Sequence, residues 1–191
     1  MCRLHDVSGL DDNQPVTTEH TRFMAEALEQ ARLARDAGEV PIGAVVVLGG
    51  EVVARGFNRP ISQTDPTAHA EIVAIREAAA AVGNYRLTGA TLYVTIEPCL
   101  MCAGAFVHAR IGTVVFGAQD PRTGALESTV RAAELPGHNH RVQVVGGVRA
   151  DECRALMQDF FKERRSPTRN ADEVSDSGPQ ASGAAGSAPD R

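Results

Sequence analysis

Short apolar segments alternate with helical patterns through the middle of this chain, and the alternation constrains its fold more than any other feature. The segments GAVVVL and EVVARGF, joined by Gly49-Gly50, predict a β-hairpin. ATLYVTI, TVVFGA and HRVQVVGGV predict three more strands, and helical patterns separate them. We therefore expect an α/β fold in which one sheet lies between two helical layers.

Four segments carry the apolar spacing of a helix, and they cover residues 20–36, 68–82, 99–110 and 150–165. Gly38 follows the first and Gly83 the second, as is common after a helix. Aromatic residues make up only 4% of the chain and tryptophan is absent. The core must therefore be built from Ala, Val, Leu and Ile, which suits packed α/β layers.

The two ends of the chain differ in composition from the middle. Residues 1–17 have no apolar period, and residues 169–191 are rich in Ser, Gly, Ala and Pro, so we expect two disordered tails around a single domain at 18–168. The net charge is -5, but the acidic excess lies in these ends, so an RNA partner is not excluded. The start lacks a secretory signal and no segment is long enough to span a membrane, which predicts a cytoplasmic protein.

Two short motifs carry the residues that point to chemistry. His69 and Glu71 lie in DPTAHAEIVAI, while Cys99 and Cys102 lie in TIEPCLMCAGA. Each pair falls at the start of a predicted helix, where exposed N–H groups and the helix dipole favour thiolates. A CxxC pair holds two sulfurs close enough to bind one metal ion.

Three protein ligands with no obvious fourth are typical of a catalytic zinc site, because the open position takes water. Zinc lowers the pKa of that water to about 7 and so supplies hydroxide near neutral pH. Glu71 is close enough to His69 in the chain to carry protons to and from that water. The H-x-E…P-C-x-x-C arrangement is the recognised signature of the zinc-dependent base deaminases.

Other polar residues have structural interpretations. His138 and His140 flank Asn139 in a Gly-rich turn, and we expect a structural role for both rather than a second pair of metal ligands. Glu97 lies at a strand end next to the candidate site, where support of the metal ligands or binding of backbone groups is expected rather than proton transfer. Cys153 falls in the last predicted helix and is expected to be buried as a small apolar residue.

The same motifs and their surroundings resemble the bacterial tRNA-specific adenosine deaminases, a branch of the cytidine/deoxycytidylate deaminase superfamily. The zinc and glutamate pattern is shared by the whole superfamily, whereas the neighbouring segments are similar to the tRNA branch. The stretches that carry the resemblance include GFNRPI, DPTAHAEIVAIREAA, NYRLTGATLYVTIEPCLMCAGAFVHARIGTVVFGAQDPRTGA, PGHNHRVQVVGGV and DECRALMQDFF.

This resemblance implies a three-layer α/β/α cytidine-deaminase-like fold with a central five-stranded mixed sheet, and a homodimer with one zinc ion per subunit. It implies hydrolytic deamination of the wobble adenosine to inosine in the anticodon of arginine tRNA, with zinc-bound hydroxide attacking C6 and Glu71 as the proton shuttle. The implied zinc ligands are His69, Cys99 and Cys102. The implied base-contacting residues are Asn58, Ile42, Ala70 and Pro98.

The last helix adds a candidate RNA surface. Phe160 and Phe161 are adjacent, so one is expected to pack in the core and the other, Phe161, to reach the active-site rim and stack on a base. Arg164 and Arg165 follow and would meet the phosphate backbone. The structural alternative is an ordinary amphipathic helix with a solvated basic end.

Further alternatives stay open from the sequence. Asn58 could cap a turn instead of contacting a base. Gln119 stands in a loop where similar proteins often carry a basic residue, so the RNA contacts of that loop are undefined. The chain could act on a free nucleobase or nucleoside such as guanine or cytosine, or it could be a structural zinc module, although such modules usually have four protein ligands.

Overall fold

A computed structural model of the protein describes residues 17–165, which form four α-helices, five strands and one 3-10 helix at Ala132–Glu134. The predicted tails lie outside these residues, except for Thr17, whose side chain caps the first helix. The helices are α1 (Thr18–Asp36), α2 (Ala70–Val82), α3 (Leu100–Ala109) and α4 (Ala150–Arg165). The strands are β1 (Gly43–Leu48), β2 (Glu51–Phe57), β3 (Thr91–Ile96), β4 (Thr113–Ala118) and β5 (Gln143–Val145).

The five strands form one mixed sheet in the order β2-β1-β3-β4-β5. Strand β1 pairs antiparallel with both β2 and β3, whereas β3, β4 and β5 run parallel. The β1–β2 pair is the predicted hairpin, with Gly49 and Gly50 at positive φ in its turn. Parallel strands need a long crossover, and α3 provides the one between β3 and β4, whereas β4 and β5 are joined by residues 119–142 with only the 3-10 helix.

Helices cover both faces of the sheet. Strand side chains alternate between the faces, so Val46 belongs to one apolar cluster and its neighbour Val45 to the other. The first cluster joins the sheet to α2 and α3 through residues such as Phe106, and the second joins it to α1 and α4 through residues such as Phe23 and Cys153. The predicted three-layer α/β/α architecture with a five-stranded mixed sheet is confirmed.

Glycine lets α2 lie very close to the sheet. A Cβ atom at Gly56 in β2 would lie 2.5 Å from the carbonyl oxygen of Ala70 and 2.6 Å from the nitrogen of Ala74. No side chain fits between β2 and α2 at this point. The contact fixes the first turn of α2, which carries Glu71, against the edge of the sheet.

Two element boundaries differ from the sequence prediction. The predicted strand HRVQVVGGV contains only Gln143–Val145, because this edge strand pairs with β4 alone and Gly147 turns at φ 84 toward α4. Helix α2 begins at Ala70 rather than 68, since Asp65 accepts hydrogen bonds from the backbone and hydroxyl of Thr67 in a separate turn. None of the helices within 17–165 is long and apolar enough to cross a membrane.

Candidate active site

Two helix starts bring the candidate metal ligands together. His69 is the N-cap residue of α2 and Cys99 is the N-cap residue of α3, with Cys102 one turn further along α3. His69 Nδ1 lies 3.6 Å from each of the two sulfurs, and the sulfurs lie 3.8 Å apart. The three atoms form a group that could hold one metal ion, and we call it the metal group.

The N-cap side chains of both helices are free to face this point because neither makes a capping hydrogen bond. Cys102 is fully buried, whereas His69 and Cys99 are half-buried. Hydrogen bonding between the two thiols lowers the pKa of Cys99 to about 4 and raises the pKa of Cys102. The pair therefore carries a thiolate at neutral pH, which is the form that binds metal.

Glu71 lies in the first turn of α2 beside the metal group, with only 3% of its surface exposed. Burial raises the pKa of its carboxyl above the usual value, although the nearby His69 opposes the shift. The carboxyl also interacts with the thiol of Cys102. A buried carboxyl group at this position can hold a proton and release it to a neighbouring group.

The predicted base-contacting residues Asn58, Ile42 and Ala70 are joined by hydrogen bonds. Asn58 Oδ1 accepts from the backbone N–H of Ala70 at 2.9 Å, and the backbone N–H of Asn58 donates to Ile42 at 3.1 Å. The Asn58 side chain thus supplies the cap that α2 lacks at its own N-cap residue. The sequence offered a turn-capping role for Asn58, whereas the side chain caps the start of α2. Contact of Asn58 with a base stays a prediction.

Pro98 belongs to the other side of the site. It is buried between β3 and α3, directly before Cys99, and its carbonyl oxygen accepts a hydrogen bond of 2.8 Å from the backbone N–H of Ala125. The loop that follows β4 is therefore attached to the start of α3. The role of Pro98 in a base pocket stays a prediction.

The end of α4 separates its two phenylalanines as expected. Phe160 is 4% exposed and Phe161 is 43% exposed, and their rings meet edge to face at 5.4 Å. Arg164 donates to the carbonyl oxygen of Gly38 at 2.5 Å and lies over the Phe160 ring, a structural contact that the sequence did not predict. Arg165 is exposed. Among residues 17–165, no hydrogen bond or ring contact joins this helix end to the metal group.

The structural interpretations of His140, Cys153 and Glu97 are confirmed, whereas that of His138 stays a prediction. His140 donates to the carbonyl oxygen of Ile111 at 2.6 Å, and Cys153 is buried. Glu97 binds backbone N–H groups of the loop after β4.

Sequence reasoning missed Glu39, which is 2% exposed and accepts hydrogen bonds from the backbone N–H groups of Ile61 and Ser62. It therefore fixes the loop that follows Asn58. A lone acidic residue before the apolar segment VPIGAVVV is the signal that could have revealed it.

Comparison with known proteins agrees with this fold and site. The MafB19-like deaminase family matches residues 18–165, so the chain is a deaminase by fold and by arrangement of its site. It is 45% identical over 154 residues to a tRNA-specific adenosine deaminase of Bacillus subtilis, covering 81% of this chain and 96% of the relative. It is 50% identical over 147 residues to the tRNA-specific adenosine deaminase of Agrobacterium fabrum, covering 77% and 97%.

Solved structures give the same result. A structure from work on A-to-I editing by tRNA:A34 deaminases at the wobble position of transfer RNA is 51% identical, with a TM-score of 0.70 over 71% of this chain and 99% of that one. The chain belongs to the tRNA-specific adenosine deaminase family. The guanine deaminase of Nitrosomonas europaea shares the fold at 24% identity, with a TM-score of 0.61 over 74% of this chain and 84% of that one.

Proposed function

We propose that this protein is a zinc-dependent hydrolase that converts the wobble adenosine of a tRNA anticodon to inosine, with arginine tRNA as its substrate, and that residues 18–168 form its catalytic domain. The observation that carries the proposal is the convergence of His69, Cys99 and Cys102 on one point beside the buried Glu71. The names of its relatives support the choice of tRNA as the substrate class.

Zinc fits the spacing of the metal group. With Zn–S bonds of about 2.3 Å and Zn–N bonds of about 2.0–2.1 Å, tetrahedral coordination separates two sulfurs by about 3.8 Å and sulfur from nitrogen by about 3.6 Å. The structure has 3.8 Å between Cys99 and Cys102 and 3.6 Å from His69 to each sulfur. Two thiolates and one imidazole are a donor set that zinc prefers, and three ligands leave a fourth position open.

The chemistry divides between the metal and the protein. A zinc ion held by the metal group would supply a water of lowered pKa at the reaction site. Glu71 would take one proton from the attacking water and deliver it to N1 of the adenine. It would then take the second proton from the new C6 hydroxyl and pass it to the amine, so that the C6–N bond breaks, ammonia leaves and a C6 carbonyl remains. Its burial suits this work, because a carboxyl with a raised pKa passes protons in both directions near neutral pH.

The side chain of Asn58 would recognise the base by a hydrogen bond. Asn58 Oδ1 is used by Ala70, which leaves the Nδ2 amino group as the donor for an acceptor nitrogen of the base. Ile42, Ala70 and Pro98 would line the pocket. Ile42 and Ala70 are hydrogen-bonded to Asn58, and Pro98 directly precedes the metal ligand Cys99. A base in an anticodon loop is unpaired, so it can turn into the pocket at little cost.

Two substitutions at Asn58 separate capping from base recognition. Asn58→Asp keeps an oxygen acceptor for Ala70 but removes the donor, so we expect near wild-type melting temperature and at least a roughly tenfold loss of activity on an anticodon stem-loop. Asn58→Ala removes both functions and should also destabilise the protein by about 1–3 kcal/mol, because the Ala70 N–H is left unpaired. Full activity in Asn58→Asp would exclude a donor role.

The end of α4 would bind the RNA strand through Phe161 and the basic residues that follow it. Arg165→Ala should weaken stem-loop binding and reduce the slope of log affinity against log salt by about 0.7, the value for one phosphate contact on a single strand. Arg164→Ala should also lower thermal stability, since its contact with Gly38 is lost. Arg154→Ala on the same helix is the control, and equal salt slopes for Arg165→Ala and this control would contradict the assignment.

Direct assay tests the proposed function. The zinc-loaded protein is incubated with an anticodon stem-loop, a stem-loop with the adenosine moved out of the wobble position, adenosine, guanine and cytosine. We expect ammonia release and inosine only with the first RNA. Turnover of a free base without turnover of RNA would instead make the protein a nucleobase deaminase.

We also propose that the protein works as a homodimer in the cytoplasm, where tRNA is found. Leu100 and Met101 at the start of α3 are 56% and 39% exposed, and Val130 and Leu135 in the segment between β4 and β5 are 47% and 39% exposed. Apolar side chains in this number beside a candidate active site are typical of a surface that a second subunit covers.

A further inference from the structure

A buried carboxylate that the proposed chemistry does not use lies next to the metal group. Glu97 follows strand β3, is 3% exposed and stands two positions before Cys99 in the chain. Among residues 17–165, the hydrogen bonds that its side chain accepts come from residues 119–129, which follow β4 and which we call the 119–129 loop. The carboxylate therefore connects this loop to the segment that carries the metal ligands.

The loop surrounds the carboxylate with five donors. Glu97 Oε1 accepts from the consecutive backbone N–H groups of Leu126, Glu127 and Ser128 at 3.0, 2.7 and 2.9 Å. Oε2 accepts from the backbone N–H of Asp120 at 3.2 Å and from the Ser128 hydroxyl. Successive N–H groups that point at one anion form a concave anion site, and here the anion belongs to the protein itself.

Two more contacts make this loop conformation specific. A Cβ atom at Gly124 would lie 2.4 Å from the Glu97 carboxylate, so only glycine allows the loop to close around it. The N–H of Ala125 donates to the carbonyl oxygen of Pro98 at 2.8 Å, between Glu97 and the metal ligand Cys99. The loop is thus hydrogen-bonded to two consecutive residues, Glu97 and Pro98, which lie directly before α3 and its N-cap residue.

We infer that Glu97 is a positioning residue. Its carboxylate holds the 119–129 loop in one conformation beside the metal group, so that the RNA substrate binds to a surface that is already ordered. The outer residues of the loop are exposed and available to RNA, namely Gln119, Pro121, Arg122 and Thr123, whereas Gly124 to Leu126 are buried against the site. This inference rests on the proposed function for the identity of the substrate. The positioning itself can be measured without RNA.

Glu97→Gln in the full-length, zinc-loaded protein tests the inference. The amide keeps the size of the side chain but turns one acceptor into a donor, which leaves either the Asp120 N–H or all three consecutive N–H groups without an acceptor. We expect KM for the anticodon stem-loop to rise about tenfold, with kcat and zinc content within about twofold of wild type. Amide exchange should become faster by at least about tenfold at 120 or at 126–128, according to which carboxylate oxygen the amide nitrogen replaces. Glu51→Gln, an exposed change on β2, is the control and should alter neither quantity.

Two further variants keep the test decisive if Glu97→Gln is unstable. Gly124→Ala retains the carboxylate but displaces the loop from it, so it should give the same rise in KM. Glu97→Ala leaves room for a small carboxylate, and added acetate should restore its KM toward wild type, whereas chloride at equal ionic strength should not.

Wild-type exchange at both 120 and 126–128 in Glu97→Gln, or a loss of activity in this variant that follows zinc content with KM unchanged, would overturn the positioning role. Failure of the wild-type protein to deaminate the stem-loop would reject the proposed function instead, and the exchange result would still decide whether Glu97 positions the loop.

Discussion

Glu71→Gln is expected to lower turnover of an anticodon stem-loop by about 10²–10⁴-fold, the range that general acid–base catalysis contributes. Glutamine has the same size as glutamate but neither accepts nor releases a proton near neutral pH. The loss should appear in kcat, because proton transfer belongs to the chemical step, while stem-loop affinity and metal content stay near wild type. Steady-state kinetics and metal analysis on the same preparation measure both.

The stability of this variant should change in the opposite direction to its activity. Glu71 is buried and its pKa is raised, so the fold bears the free-energy cost of removing a carboxyl group from water. We expect Glu71→Gln to melt at or above the wild-type temperature, as is common when a buried charge at an active site is removed. Glu77→Gln, an exposed change on the same helix, is the matched control and should leave activity and stability unchanged. Normal turnover by Glu71→Gln would exclude the proton shuttle.

Local sequence patterns were enough to predict the metal group. His69 and Glu71 lie two positions apart and Cys99 and Cys102 three apart, and each pair belongs to the first turn of one helix, where local geometry decides which way side chains point. The alternation of strands with helices then requires both helix starts to border the same sheet. The fold class could be predicted for the same reason, since alternating apolar segments have few ways to pack.

Contacts between distant segments could not be predicted from local patterns. Asn58 stabilises the start of α2 from 12 positions away, and Arg164 binds the carbonyl of Gly38 from 126 positions away. In both contacts a side chain forms a hydrogen bond with a backbone group, and every backbone segment offers the same donors and acceptors. The residue types of the distant segment therefore do not show which backbone group the side chain will bind. The proposed RNA-binding role of Arg164 must be tested beside this structural contact.

The short last strand shows the same limit at an element boundary. The predicted strand has nine residues, 140–148, yet only Gln143–Val145 pair with β4. Strand β4 continues to Ala118, so β5 ends because the chain turns at Gly147, with φ 84, and the apolar residues of the segment do not reveal that turn.

Cys102→Ala is expected to remove the metal and with it all measurable deamination. The substitution reduces three protein ligands to two and removes the buried sulfur that lies 3.6 Å from His69 and 3.8 Å from Cys99. Two ligands do not hold zinc against dialysis, so metal content should fall from about one ion per chain to below about one tenth. Because bound metal stabilises only the folded state, the melting temperature should fall as well, and added zinc should not restore it.

Cys153→Ala is the matched control, because Cys153 is also a buried thiol but lies in α4 on the opposite face of the sheet. It should keep its zinc and its activity. Wild-type protein treated with a chelator should lose activity and melt at a lower temperature, and unlike Cys102→Ala it should recover both when zinc is added. Full zinc occupancy in Cys102→Ala would remove Cys102 from the ligand set. Equal metal loss in the two cysteine variants would mean that zinc binding depends on the fold as a whole rather than on the metal group.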